Sequence, residues 1–244
     1  AAGVRVPDGS YAVEITAWDL GYPVWTKIST DNTATSFYVP VGLTVNKNPA
    51  SDDYGKIYVS NATAGTTAAV SRATGDGIYR LNADQTEDGF FTGGIGWSGG
   101  SSPWKSMVGP DNRLYVSDLS NNLIYEFNED LSVATEILGA ANRTTNQWVG
   151  GVYVTGTQAA GARVLYAVNV NYNDTARRGV IQYNLGAAAV ASGTGTQFIA
   201  ANQWNGYYPY DALADSLGDW YAVIPRADAG GAPPLKKWQG GTPP

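Results

Sequence analysis

Short runs of alternating apolar and polar residues recur along this chain, separated by turns rich in glycine and asparagine. In Ile78-Tyr79-Arg80-Leu81, Ile124-Tyr125-Glu126-Phe127, Val180-Ile181-Gln182-Tyr183 and Leu235-Lys236-Lys237-Trp238 the alternation suits half-buried strands. An apolar–tyrosine run precedes each one: Ile57-Tyr58-Val59, Leu114-Tyr115-Val116, Leu165-Tyr166-Ala167 and Trp220-Tyr221-Ala222. Ahead of these lie the short segments Gly42–Val45, Pro103–Gly109, Gly151–Val154 and Pro209–Asp215. Pro209–Asp215 follows Pro103–Gly109 at an offset of 106 residues, and the offset holds without a gap into the next strands. The other copies fall at roughly half that offset, so the chain repeats a unit of about 50 residues with three or four strands.

Such units predict an all-β fold, a β-propeller of about four recognisable blades, each a small antiparallel sheet. One small twisted sheet cannot bury both of its faces, whereas blades stacked around an axis bury each face against a neighbour. The blades are expected at about 37–95, 96–145, 146–200 and 201–240, within a propeller region of 31–244. Gly109-Pro110-Asp111-Asn112 and Asn121-Asn122 are hairpin turns, since asparagine takes the left-handed conformation readily. The first hairpin is longer in units one and three, through Asn46–Gly55 and Thr155–Gly161. Residues 1–30 fit less neatly. Asp8–Ala17 reads as a turn and a strand, like the final hairpin of an immunoglobulin-like domain, and Pro23–Ser29 reads as another strand. Full propellers usually carry more than four blades, so either this is a fragment with an incomplete ring, or these N-terminal strands complete the last blade and close the ring.

The composition narrows the chemistry. The chain contains no cysteine and no histidine. That removes disulfides, zinc-thiolate sites, thiol nucleophiles, the usual Ser-His-Asp triad and most transition-metal centres. Carboxylate chemistry, a hard cation such as calcium, or no chemistry remains, and the chain is expected not to be an enzyme. Net charge is −6, without a basic stripe, which argues against nucleic acid. No run of about 18 apolar residues is present, so no membrane span is expected. The chain begins Ala1-Ala2-Gly3, as a processed protein or a piece of a longer one would. Charged residues make up only 15%, beside 30 Gly, 16 Tyr and 8 Trp, which fits an extracellular or cell-surface bacterial protein.

Pro103 to Phe127 resembles an NHL-type blade: a proline-led inner strand, Gly-Pro-Asp-Asn, Leu-Tyr-Val-Ser-Asp, then Asn-Asn-Leu-Ile-Tyr-Glu-Phe. Gly42 to Asn82 resembles the first blade of large secreted bacterial proteins in which such a propeller follows an immunoglobulin-like module. The resemblance covers roughly residues 40 to 240. It implies the propeller fold, and a function among protein- and sugar-binding scaffolds, lyases and lactonases. The lyases depend on histidine-bound metal, which this chain cannot supply. The lactonase-like relatives hold calcium with Glu, Asn and Asp, and no residue of this chain matches those ligands one for one.

Candidate sites follow from residue type. Asp52 and Asp53 lie in an Asn/Pro/Ser-rich loop that could hold calcium, although a surface loop is the plainer reading. Asp84, Glu87 and Asp88 read as a similar acidic turn. Asp118 is expected to bond turn amides, while Asp211 and Asp215 flank an inner strand and could face the axis. Trp97, Trp104, Trp148, Trp204, Tyr207, Tyr208 and Tyr210 stand just before inner strands or at their starts, on one face of a propeller. There they either wedge between blades or stack on sugars and anchor partner loops. The leading expectation is a non-catalytic extracellular scaffold or interaction module with protein partners, or one that self-assembles. The alternatives are a carbohydrate-binding propeller using its aromatic face, and a calcium-dependent lactonase-like hydrolase.

Overall fold

The computed structural model describes residues 2–5, 12–15, 37, 40–62, 76–84, 86–91, 94–97, 101–144, 147–171, 173–204, 206–224 and 235–239. The first two strands, β1 (Ala2–Arg5) and β2 (Ala12–Ile15), pair antiparallel as a sheet of their own. The stretch Pro23–Ser29, expected as a strand, lies outside the described residues.

Four antiparallel sheets follow and form a four-bladed β-propeller. Blade 1 is β3 (Pro40–Val45), β4 (Ile57–Asn61), β5 (Gly77–Leu81) and β6 (Glu87–Phe91). Blade 2 is β7 (Ser106–Val108), β8 (Leu114–Asp118), β9 (Leu123–Phe127) and β10 (Ala134–Leu138). Blade 3 is β11 (Val149–Thr155), β12 (Arg163–Asn169), β13 (Gly179–Gly186) and β14 (Thr196–Ile199). Blade 4 is β15 (Asp211–Ala214), β16 (Trp220–Val223) and β17 (Leu235–Trp238). Strands follow chain order from the axis outward, and the inner strands β3, β7, β11 and β15 pack in sequence.

The second and third strands fall where the alternating runs place them. The fourth strands β6, β10 and β14 are additions, and Glu87 and Asp88 begin β6 instead of forming a turn. Each fourth strand joins its blade through a shifted register, which bends the outer edge and discourages pairing with other sheets. Asn112 and Asn122 take the left-handed conformation in the blade 2 turns, with φ of 61° and 60°.

Strand register makes the blades superimposable. The pairs Thr44–Tyr58, Met107–Tyr115, Tyr153–Tyr166 and Leu213–Tyr221 are equivalent, as are Ser60–Ile78, Ser117–Ile124, Val168–Val180 and Val223–Leu235. These residues form what we call the forward face, turned toward the next blade. The alternate residues form the back face. The core is a series of inter-blade layers, as a period of two requires. Tyr58 and Ile78 of blade 1 pack with Leu114, Val116 and Phe127 of blade 2. Tyr115 and Ile124 pack with Val152, Leu165 and Ile181 of blade 3. Val168 and Val180 pack with Ala212, Trp220 and Ala222 of blade 4. The back of blade 1 buries Val59, Tyr79 and Leu81, with Phe37 edge-on to Tyr79 at 5.2 Å.

The repeated tyrosine has a repeated partner. The hydroxyls of Tyr58, Tyr115 and Tyr221 donate to Asp53, Asp111 and Asp215 at 3.0, 2.9 and 3.1 Å. Each aspartate lies in the hairpin joining the inner strand to the second strand, so the bond fixes that hairpin to its blade. Polar residues also close the far end of the second strand. Asp118 is buried and accepts the Asn121 amide at 2.8 Å, closing the β8–β9 turn of its own blade. Asn169 accepts the Trp148 amide at 2.9 Å in the same way. Between blades 2 and 3, Glu126 is paired with both Arg113 and the fully buried Arg163. Arg163 also donates to the Tyr115 hydroxyl at 3.3 Å.

Candidate functional site

Inner strands enter the disc from one side, and the residues at that entry alternate around the axis in a telling way. Two positions before Thr44, Met107, Tyr153 and Leu213 stand Gly42, Lys105, Gly151 and Asp211. One position earlier come Val41, Trp104, Gly150 and Tyr210. Blades 2 and 4 thus carry large or charged side chains at both levels, and blade 3 between them carries glycine. The glycines are required by close approach. A Cβ on Gly151 would lie 2.3 Å from Asp211 Oδ1 and 3.0 Å from Asp211 Cα. A Cβ on Gly150 would lie 3.1 Å from the Tyr210 carbonyl oxygen.

With blade 3 so reduced, the Trp104 and Tyr210 rings come within 6.2 Å of each other. Tyr210 in turn lies 5.6 Å from Tyr208, and the Arg178 guanidinium sits 5.7 Å from the Tyr208 ring centre, within cation–π range. Arg178 is itself held by the carbonyls of Asn171 at 3.0 Å and Tyr207 at 3.3 Å, and by Gly206. The result is a row of half-buried aromatics ending in a fixed cation.

Below this row, Lys105 Nζ donates to the Val41 carbonyl at 2.9 Å. Burial pushes the Asp211 carboxyl above its ordinary range, while the Lys105 charge and the Ala212 amide, at 3.0 Å, pull it back. Lys105 and Asp211 line a cavity of about 540 Å³ walled by all four inner strands. That size lies within the usual range of small-ligand sites, roughly 300 to 1,000 Å³. Its walls are mostly apolar, through Val45, Met107, Val152 and Leu213, with Thr44 and Ser106 among the polar groups. The Ser106 hydroxyl is buried without a hydrogen-bond partner.

The aromatic residues singled out from sequence separate into two groups. Trp104, Tyr208 and Tyr210 form the entry row. Trp97 and Trp204 are buried core, edge-on to Tyr125 and Trp238, both at 5.5 Å. Trp148 is half-buried against the layer between blades 3 and 4, and Tyr207 packs against the same layer. Of the acidic candidates, Asp53 is occupied by Tyr58 and by Arg80 at 3.3 Å, beside an exposed Asp52. Asp88 pairs with Lys56 at 3.0 Å and Arg80 at 2.5 Å. Asp215 accepts the amides of Leu217 and Asp219 in its hairpin, both at 2.9 Å. No group of three or more His, Cys, Asp or Glu gathers among the described residues. Sequence reasoning missed Lys105 and Arg178. The signal for Lys105 was available, because the 106-residue offset that aligns Trp104 with Tyr210 also aligns Lys105 with Asp211.

No family model matches the chain, and no curated protein matches it. Solved structures similar to it include a streptogramin B lyase, at 16% identity and a TM-score of 0.49, covering 82% of this chain and 54% of the lyase. A chain of a nidogen/laminin complex is 11% identical with a TM-score of 0.48, covering 76% of this chain and 56% of that one. The extracellular domain of a one-component system from B. thetaiotaomicron is 11% identical with a TM-score of 0.44, covering 76% of this chain and 20% of that one. The chain thus spans a little over half the length of the first two. At these identities the likeness concerns the fold alone. It nevertheless corrects one expectation from composition. A lyase stands among the similar structures, so the chain is not placed outside the enzymes by its lack of histidine and cysteine. Among the described residues no helix is long and apolar enough to cross a membrane.

Proposed function

We propose that this chain is an interaction module of an extracellular or cell-surface protein, and that it engages its partner through the entry face of the propeller. The observation that carries this reading is the row Trp104–Tyr210–Tyr208–Arg178. Tryptophan, tyrosine and arginine are the residues that dominate binding energy at protein interfaces, because each combines a large apolar surface with a directed polar group. Here the three aromatics are adjacent and half-buried, with the buried Arg178 fixed behind Tyr208, so little ordering entropy is lost on binding. The partner is a protein loop seated over the axial cavity, with Lys105 and Asp211 available to its polar groups. The same row favours a second reading, a glycan whose sugar rings stack on Trp104 and Tyr210.

In this reading the blades are of NHL type and occupy residues 31–244. Residues 1–30 are the end of an immunoglobulin-like module or closing strands, and the module assembles with other copies.

A glycan array and a capture experiment from culture medium, each with the wild type and Trp104→Ala/Tyr210→Ala, test the surface. Glycan retention lost in the double variant supports the sugar reading. Capture of a secreted protein by wild type alone, with no glycan retained, supports the protein reading. Binding that is unchanged in the double variant removes the entry face from the account.

A further inference from the structure

The axial cavity is polar at its mouth and aliphatic beyond it. Lys105 and Asp211 hold equivalent positions ahead of β7 and at the start of β15, flanking the reduced strand β11 at Gly151. Both line the cavity. Met107 and Leu213 follow two residues on, and with Val45 and Val152 they form an aliphatic wall. The strands β7, β11 and β15 pack in sequence, so described neighbours set this arrangement. Lys105 is near enough for its charge to act on the Asp211 carboxyl. Yet Lys105 Nζ is bonded to the Val41 carbonyl at 2.9 Å and Asp211 to the Ala212 amide at 3.0 Å, rather than to each other. An ammonium carries several donors and a carboxylate several acceptor sites, so both keep bonding capacity for an occupant.

The pair selects what that occupant is. Lys105 requires an acceptor and Asp211 a donor. Their charges oppose, so an anion drawn to Lys105 is repelled by Asp211, and a cation drawn to Asp211 is repelled by Lys105. A neutral group with an acceptor and a donor meets both. A peptide group is such a group, and its trans C=O and N–H point in opposite directions, as two partners flanking one opening require. The wall formed by Val45, Met107, Val152 and Leu213 then calls for an aliphatic side chain next to that peptide group. A sugar in the same place would set hydroxyls against this wall without partners. A free amino acid would bring an ammonium and a carboxylate, each of which must give up water to enter.

We propose that the axial cavity takes one large aliphatic side chain from the tip of the partner loop, with the adjoining peptide group bridging Lys105 and Asp211. This rests on the reading of the entry face as a protein-binding surface and names the chemistry of the partner's tip. The chain has a single methionine, and Met107 stands in the cavity wall with its sulfur accepting the Val154 amide at 2.9 Å. A carbon-13 label on the methionine methyl group therefore gives one NMR signal that reports the cavity. The probe is N-acetyl-leucine N-methylamide, titrated to about 20 mM, because a ligand of its size is held with a Kd on the order of 1 mM. A saturable shift is expected in the wild type, with binding about tenfold weaker in Lys105→Ala. N-acetyl-serine N-methylamide is expected to cause no shift. The unliganded signal reports whether Lys105→Ala folds, and Asp211→Ala replaces it if not. A wild-type signal that does not move with the capped leucine overturns the proposal, and so does a shift that the folded variant leaves unaltered. A stronger response to free leucine or to methyl α-glucoside also overturns it, by assigning the cavity to an amino acid or a sugar. Capture that depends on Trp104 and Tyr210, with no shift from capped leucine, removes the cavity and keeps the entry face. A shift from capped leucine, with capture that ignores Trp104 and Tyr210, removes the entry face and keeps the cavity as a site for aliphatic peptides.

Discussion

Tyr115 and Tyr221 occupy the same point in blades 2 and 4. Each sits centrally on its second strand, and each donates its hydroxyl to a hairpin aspartate. Their surroundings differ. Tyr115 is wholly buried against blade 3, beside Ile124 and the Arg163–Glu126 pair, whereas Tyr221 is half-buried on a face that includes exposed Leu213, Val223 and Leu235. The local structure is written into the repeat and forms in blades 1, 2 and 4, while Tyr166 of blade 3 bonds Thr155 instead. Burial is not local, because it depends on whether another sheet lies against the face. One forward surface is therefore core in blade 2, whereas in blade 4 part of it is exposed.

Substitutions at equivalent positions sharpen this contrast. The largest effect is expected from Glu126→Ala, which leaves Arg163 buried without its carboxylate and should cost about 3–5 kcal/mol in urea unfolding. At the equivalent place in blade 4, Lys237→Ala should leave the unfolding midpoint where it was. Ile124→Ala is expected to cost about 2–5 kcal/mol, against less than about 0.5 kcal/mol for Leu235→Ala measured in dilute monomer. Equal costs at these two positions would break the comparison.

The entry face gives the next effects. Gly151→Val sets a side chain against the Asp211 backbone and should cost about 1–3 kcal/mol, with loss of the Trp104–Tyr210 near-UV signal. A variant of wild-type stability would mean that blade 3 does not approach blade 4 so closely. The smallest effect concerns Asp211. Burial raises its carboxyl, so the folded chain holds that proton more tightly than the unfolded chain does. Its favourable contribution is complete below the ordinary carboxylate range and is lost as pH rises through the raised value. Asp211→Asn is therefore expected to melt slightly higher than wild type near neutral pH, with the difference closing toward about pH 4. A difference that widens on acidification would contradict the burial of this carboxyl.

Much of the architecture was readable before any coordinates, and the reasons are physical. Each unit repeats an apolar–tyrosine run and then an alternating run, so the positions of the second and third strands show in the residue pattern, although β4 and β8 are buried on both faces. The fourth strands do not, because β6 opens with the exposed pair Glu87-Asp88, which reads as a turn. The 106-residue offset located Trp104 and Tyr210 together. It could not show that Trp97 and Trp204 turn inward, since an aromatic residue before an inner strand suits a core as well as a surface. The Gly150-Gly151 pair carried its meaning only once the distance across blade 3 was known. Composition misled on catalysis. The lack of histidine and cysteine removes certain mechanisms, but it does not set the chain apart from propellers that include lyases.

Hydrogen exchange tests the contrast between blades most directly. In dilute solution, β8 and β9 should exchange only through global unfolding, while β16 and β17, open on one face, should exchange faster. Exchange in β16 and β17 that matches β8 and β9 in dilute monomer would contradict the account, because the forward face of blade 4 would then already be closed.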